Sequence, residues 1–260
     1  MATRPETAAP TQMIRGPSLR KDAWWAEPIP VVLLLSAFIG YATWAAFQNA
    51  NYFAAPYLSP FYSPCLAANC EHVTIRVFGS WWAISPALLV LWAPGGFRAT
   101  CYYYRKSYYR SFFGRPPACA VRDVSEKYKG ETRFPFVLQN LHRYFFWLAT
   151  VFLVFLWWDA VKAFRFPNHG FGMGIGTLVL VANAALLSLY SFSCHSCRHI
   201  FGGGLDVFSA SPRRHRLWRI LTRLNARHGA IAWVSLVWVM WTDAYVRMLA
   251  TGMIRDLRFF

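Results

Sequence analysis

Residues 193–199 read Ser-Cys-His-Ser-Cys-Arg-His, so Cys194, His195, Cys197 and His199 crowd four metal-binding side chains into one short run. Thiolate and imidazole are the ligands of zinc sites and of iron–sulfur centres. On one straight helix Cys194 and Cys197 lie about 60° apart, whereas His195 and His199 fall roughly 100–140° from Cys194. A regular helix therefore does not aim all four at one small centre. Either the helix unwinds, with Gly202-Gly203-Gly204 the expected place, or ligands come from several helices. Attached haem c is a weaker option, because it needs Cys-x-x-Cys-His and the order here is Cys-His-Ser-Cys-Arg-His.

The elements that must position this run are apolar. The 260 residues are 56% hydrophobic and 15% charged, against about 25% charged in a soluble domain. Five runs reach membrane-helix length, at 29–48, 78–101, 139–163, 173–197 and 228–250. The expected fold is all-α, an integral membrane bundle of five transmembrane helices. A polar arm (1–27) without a cleavable signal pattern precedes the membrane domain (28–252), and a short tail (253–260) follows. Gly170 to Gly176, in which every second residue is glycine, reads as small residues for close helix packing.

The net charge of +16 is unevenly spread. With Arg98, Arg143, Lys162 and Arg247 at the span ends counted with the adjoining segment, the segments before span one, between spans two and three, and between four and five hold four, ten and seven Lys or Arg residues; the alternate segments hold one, two and three. This is the positive-inside pattern, with the N-terminus and the basic loops 102–138 and 200–227 cytoplasmic and the C-terminus outside. It assigns the cations to anionic lipid and a cytoplasmic partner, not to nucleic acid.

On that topology Cys101 ends span two, Cys119 lies in the cytoplasmic loop, His142 begins span three, Cys194 to His199 end span four, and His228 begins span five. All belong to one membrane surface. Cys65, Cys70, His72 and His169 belong to the other, where the spacing of Cys65 and Cys70 permits a disulfide. His215 lies in a basic loop and reads as solvated. The metal candidates are Cys194, Cys197, His195, His199, His142, His228, Cys101 and Cys119. Two thiolates with two imidazoles are the ligand set of a Rieske-type [2Fe-2S] cluster and also of zinc. No histidine lies near the middle of a span, so two b haems, which need axial pairs toward both faces, fit poorly, and haem b is less favoured.

Three segments resemble one family: Thr100-Cys101-Tyr102-Tyr103-Tyr104-Arg105-Lys106-Ser107-Tyr108-Tyr109-Arg110, Pro116-Pro117-Ala118-Cys119-Ala120-Val121 and Ser193 to His199. They are similar to the cytochrome b-like membrane-anchor subunit of actinobacterial succinate dehydrogenase or fumarate reductase, in its single-chain, five-helix class. The resemblance covers roughly residues 30–250. It implies a plasma-membrane anchor for an iron–sulfur subunit and a flavoprotein carrying FAD, with electrons passing through further iron–sulfur centres to a quinone, menaquinone in particular. It leaves open a further small membrane subunit. The better-known five-helix anchors hold two b haems; the histidine placement here departs from theirs, and a Rieske-like cluster at the Cys/His-rich end is the expected replacement.

A quinone needs a slot between helices, polar groups for its carbonyls and a proton source. Near the cytoplasmic face Arg98, Tyr102, Tyr103, Arg105, His142 and Arg143 are candidates; near the other face they are Trp81, Trp82, Trp157 and Trp158, with Asp159 beside them. The competing reading is a zinc-binding polytopic transporter or assembly factor without electron transfer. A transporter places ionisable groups along a route through the bilayer, and the inner parts of these spans are nearly free of charge.

Overall fold

The computed structural model describes residues 20–65, 75–76, 83–114, 121, 132, 134, 136–167 and 170–260. Eight α-helices are found among them: α1 (Pro28–Gln48), α2 (Pro86–Thr100), α3 (Tyr102–Phe112), α4 (His142–Lys162), α5 (Ile175–Phe192), α6 (His195–Gly202), α7 (Pro212–Ala226) and α8 (His228–Ala250). Cys70, His72, Trp81, Trp82, Cys119 and His169 lie outside the described residues.

Four helical segments are long and apolar enough to cross a bilayer: α1, α4 with the turn before it (Val137–Lys162), α5 and α8. The second expected span is shorter than its apolar run. Ala83–Ile84 pairs with Ile75–Arg76 as a small antiparallel hairpin, and Pro86 then opens α2, which has 15 residues. That is about 23 Å of helix against a hydrocarbon core of about 30 Å. The spans carry large apolar side chains on their outer faces, such as Leu33 at 65% and Val154 at 66% exposure. Lipid is the solvent that such faces require.

Helix α5 packs against both α4 and α8, α4 against α2, and α1 against α3 and α8. The bundle has two polar ends. One carries Arg98, the basic and aromatic α3, the short α6 and the arginine-rich α7. The other carries the hairpin Phe53–Leu58, flanked by Tyr52 and Tyr62, whose rings stack at 4.0 Å. Asn49, at φ 45°, ends α1 in the left-handed region that asparagine tolerates.

The fourth expected span ends earlier than its apolar run. Helix α5 stops at Phe192, Cys194 is extended (φ −64°, ψ 149°), and a separate helix begins at His195. The break therefore falls at the first cysteine, not at Gly202-Gly203-Gly204, which instead terminate α6, with Gly204 at φ +70°. The glycine-rich run at 170–176 also serves a different contact. Gly174 and Gly176 let the Tyr57 ring and the Asp256 carboxylate reach the start of α5, where a Cβ atom would stand 2.2–2.5 Å from them. Asp256 accepts from the Gly176 N–H at 2.9 Å and from the hydroxyls of Tyr57 and Tyr245. It thereby satisfies the orphan amides of a helix N-terminus, where a negative charge is favourable. The tail is tied down further as Met173 and Ile175 donate to Phe260 and Leu257.

A fully buried carboxylate, Asp243, holds the non-basic end together. Arg247 donates to it at 2.7 Å, Tyr41 at 2.6 Å, and Ser59 also donates to it. Arg247 also donates to the Ala50 and Ala45 carbonyls. Helices α1 and α8 and the loop between Tyr57 and Pro60 are joined by this one network. Removing one partner of a buried pair strands the other's charge, whereas replacing both with apolar groups of like volume is far milder. Asp243→Ala is expected to cost about 3–5 kcal/mol, and the double replacement Asp243→Leu with Arg247→Met distinctly less, read as thermal unfolding in detergent.

Candidate metal centre

Two cysteines and two histidines from four places in the chain stand as two contacting pairs at the basic end. Cys101 and Cys194 each occupy an extended residue between two helices, Cys101 between α2 and α3 and Cys194 between α5 and α6. His142 and His228 are the first residues of α4 and α8. His142 Nε2 lies 2.9 Å from Cys194 Sγ, and His228 Nε2 lies 3.4 Å from Cys101 Sγ. The site sits in a core that includes Phe97, Tyr104, Phe146, Tyr190, Leu221 and Leu236.

The residue preceding each cysteine is a hydroxyl, and it holds the histidine of the other pair. Thr100 Oγ1 is 2.9 Å from His142 Nδ1, and Ser193 Oγ is 2.7 Å from His228 Nδ1. Each hydroxyl already gives its single proton to a backbone carbonyl: Thr100 to Gly96 at 2.7 Å and Ser193 to Tyr190 at 3.0 Å. Each therefore accepts from its histidine, which assigns the proton to Nδ1 on both rings by hydrogen-bond bookkeeping. Both Nε2 atoms are then left with a lone pair directed at a sulfur. This is how a metal-binding imidazole is prepared: the far nitrogen is tied down so that the near one is fixed in tautomer and direction. Asn225 secures the Ser193 carbonyl at 2.8 Å. Phe97 stacks on His142 with ring centres at 4.8 Å, and Tyr190 on His228 at 5.1 Å.

Burial pushes the Cys194 thiol up to about 12, with the neighbouring Cys101 adding to the rise, and pushes Cys197 up to about 11. Left alone, both are neutral at pH 7; a bound cation is what would make Cys194 a thiolate. The donor set fits a thiolate–imidazole metal group. The Tyr190 hydroxyl is a further buried polar atom beside Cys101. Among the described residues no three His, Cys, Asp or Glu side chains form one group that could hold a metal ion. The donors fall into two pairs instead.

The other candidates are placed differently. Cys197 is fully buried, one turn into α6, while His195 and His199 on the same helix are exposed. Tyr103 lies against the His228 ring at 5.1 Å and is partly exposed. Tyr102 is at the surface with Arg105 over its ring at 5.1 Å, and Arg143 covers Tyr144 in the same way. Arg98 points inward, its guanidinium shared among Tyr104, Ser235 and the Ala232 carbonyl. At the opposite end Trp157 and Trp158 line an open cavity of about 640 Å³ with Asp159, Lys162, Pro64 and Cys65. Cys65 is disulfide-bonded. Thr100, Ser193, Asn225, Tyr104 and Tyr190 were not singled out from the sequence as site residues; the repeated hydroxyl–cysteine pair at the ends of two spans was the available signal.

The fold and site thus define a multi-pass helical membrane protein with a thiol–imidazole centre near one end. The chain belongs to the actinobacterial succinate dehydrogenase subunit SdhC family, whose model matches residues 26–252. It is similar to a chain of the Mycobacterium smegmatis Sdh1 complex in the apo form, at 44% identity over all of both chains and a TM-score of 0.87. No curated protein matches it. It is therefore a membrane-anchor subunit of a succinate dehydrogenase in the plasma membrane, with the flavoprotein and iron–sulfur subunits of that enzyme as partners.

Exposure separates the histidines in a measurable way. Replacing His195 and His199 together by Ala should change stability by no more than about 0.5 kcal/mol. His228→Ala leaves Ser193 and Cys101 without their partner and should cost about 1–3 kcal/mol, measured as thermal unfolding in detergent.

Proposed function

We propose that this anchor carries electrons from the iron–sulfur subunit to a quinone through a Rieske-like [2Fe-2S] cluster held by Cys101, Cys194, His142 and His228. The observation that carries this reading is the cross-braced pair of thiol–imidazole contacts, with both Nε2 lone pairs set by Thr100 and Ser193. A Rieske-type cluster takes two imidazoles on one iron and two thiolates on the other, and these four residues supply that number of each donor kind. The cluster supplies one-electron transfer when bound. The protein's part is to hold the imidazoles in one tautomer, exclude water with Phe97, Phe146 and Tyr190, and offer imidazole nitrogens that can titrate as electrons move.

In this reading the bundle has five spans, α2 and the adjoining hairpin serving as the second. The N-terminus and the basic end face the cytoplasm, and the C-terminal tail lies outside. The arginine-rich α7 and the Tyr/Arg-rich α3 form the docking face for the iron–sulfur subunit, and anionic lipid meets the remaining cations. Menaquinone binds where Tyr103 reaches from the surface to His228, with Tyr102 and Arg105 at the entrance. This places reduction within contact of an Nδ1-tethered imidazole. The cavity at Trp157 and Trp158 lies on the far side of the bundle, about 23 Å along α4 from His142, and is assigned to lipid or a quinone tail. The transporter alternative is disfavoured because the buried Asp243 and Arg247 neutralise one another within one network, and the buried Asp159 is held by the Ser63 hydroxyl near the end of α4, so they mark no route across the bilayer.

Iron and acid-labile sulfide assays with low-temperature EPR of the purified complex test this. The expected result is one [2Fe-2S] centre with imidazole ligation beyond those of the partner subunits. Thr100→Val and Ser193→Ala should each weaken its retention by roughly 10–100-fold, while Thr100→Ser retains it. Zinc without extra iron, or a haem band, would contradict the reading.

A further inference from the structure

Arg98 stands in the last turn of α2, three residues before Cys101, and carries a permanent positive charge. Its Nη1 donates to the Tyr104 hydroxyl and, at 3.3 Å, to the Ala232 carbonyl; its Nη2 donates to Ser235 Oγ at 3.2 Å. The guanidinium lies 4.5 Å over the Tyr190 ring and 5.5 Å from the centre of the Tyr104 ring. Every one of these partners is neutral. Among the described residues the ion pairs are Arg20–Asp22, Arg110–Glu27 and Arg247–Asp243, and none supplies a carboxylate to Arg98. An inward-pointing cation without a counter-charge is costly within a membrane bundle, and such groups mark functional positions. What lies beside it is the thiol–imidazole site: the Tyr190 ring contacts Arg98 and stacks on His228.

We infer that Arg98 is the electrostatic positioning residue of that site, the fixed positive charge that balances its thiolates and stabilises its electron-accepting state. This rests on the cluster assignment above. One electron from the partner subunit's iron–sulfur centre makes the site more negative by one charge. Arg98 lowers the free energy of that state relative to the oxidised one, so it raises the reduction potential. Tyr104 and Ser235 hold the guanidinium in place, and the Tyr190 ring keeps it off the imidazole while transmitting its field through a medium of low dielectric. Lysine would keep the charge and lose the fork of donors; glutamine would keep a donor and lose the charge.

The test is an EPR-monitored redox titration of the intact, purified complex in wild type, Arg98→Gln and Arg98→Lys. Arg98→Gln is expected to lower the reduced-to-oxidised ratio at a fixed ambient potential about tenfold, which is 59 mV for one electron. Arg98→Lys should recover more than half of that shift, with the line shape unchanged in both. Ser235→Asp, which pairs with the retained guanidinium and cancels its charge, should shift the ratio in the same direction and keeps the test open should Arg98→Gln fail to assemble. A wild-type midpoint in Arg98→Gln or Ser235→Asp, or an equal shift in Gln and Lys, would overturn the inference while leaving the cluster assignment standing. Absence of the centre's signal from the wild-type complex would overturn both.

Discussion

A polar side chain inside a lipid-facing bundle has no water to turn to, so each must find its partner within the chain. At the basic end that constraint is met by breaking two helices at cysteines. Extended backbone at Cys101 and Cys194 turns the hydroxyl before each cysteine toward one histidine and the sulfur toward the other. The four hydrogen-bonding residues Thr100, Cys101, Ser193 and Cys194 tie together the ends of α2 and α5 and the starts of α4 and α8. The packing order of the bundle at this end, and the direction in which both imidazoles point, follow from that arrangement.

The other end solves the same problem with charge. Asp243 and Arg247 are one helical turn apart on α8 and reach Tyr41, Ser59 and two backbone carbonyls, so the first loop after α1 is locked onto the last span. Asp256 does comparable work at the start of α5, where the glycines make room for Tyr57 and for the tail. The two ends thus differ in kind. One is braced by a buried, self-neutralised Asp243–Arg247 pair. The other gathers two thiols, two imidazoles and Arg98, whose hydrogen-bond partners Tyr104, Ser235 and the Ala232 carbonyl are all neutral.

Much of this was legible in the amino-acid sequence. The long apolar runs located α1, α4, α5 and α8, and the alternating Lys and Arg counts grouped Cys101, His142, Cys194 and His228 at one surface before any geometry was known. The crowded run at 194–199 was more misleading. Helical spacing showed that it could not close a site alone, but nothing in its composition told that Cys194 would be the break point, leaving His195 and His199 exposed on a new helix. Three-residue context explains why: Ser193 bonds back to the Tyr190 carbonyl while holding His228, a contact with a residue 35 positions away. The shortened α2 had a local cause in Pro86 and its hairpin. Arg98 stood out as a cation near the membrane surface, yet its inward turn depends on Tyr104 and on Ser235 of a distant helix. The Asp243–Arg247 pair was not singled out, since its partners Tyr41 and Ser59 lie 202 and 184 positions from Asp243 in the chain.

The central claim is that His142 and His228 each give an Nε2 lone pair to the same redox centre. Pulsed EPR of the reduced complex, with ¹⁵N introduced at histidine only, addresses this directly. The account predicts couplings from two ¹⁵N-histidine nitrogens on one [2Fe-2S] signal, with one coupling lost in each of His142→Ala and His228→Ala or the whole signal lost with the ligand. A signal without histidine nitrogen coupling, or one that survives both replacements unchanged, would contradict it.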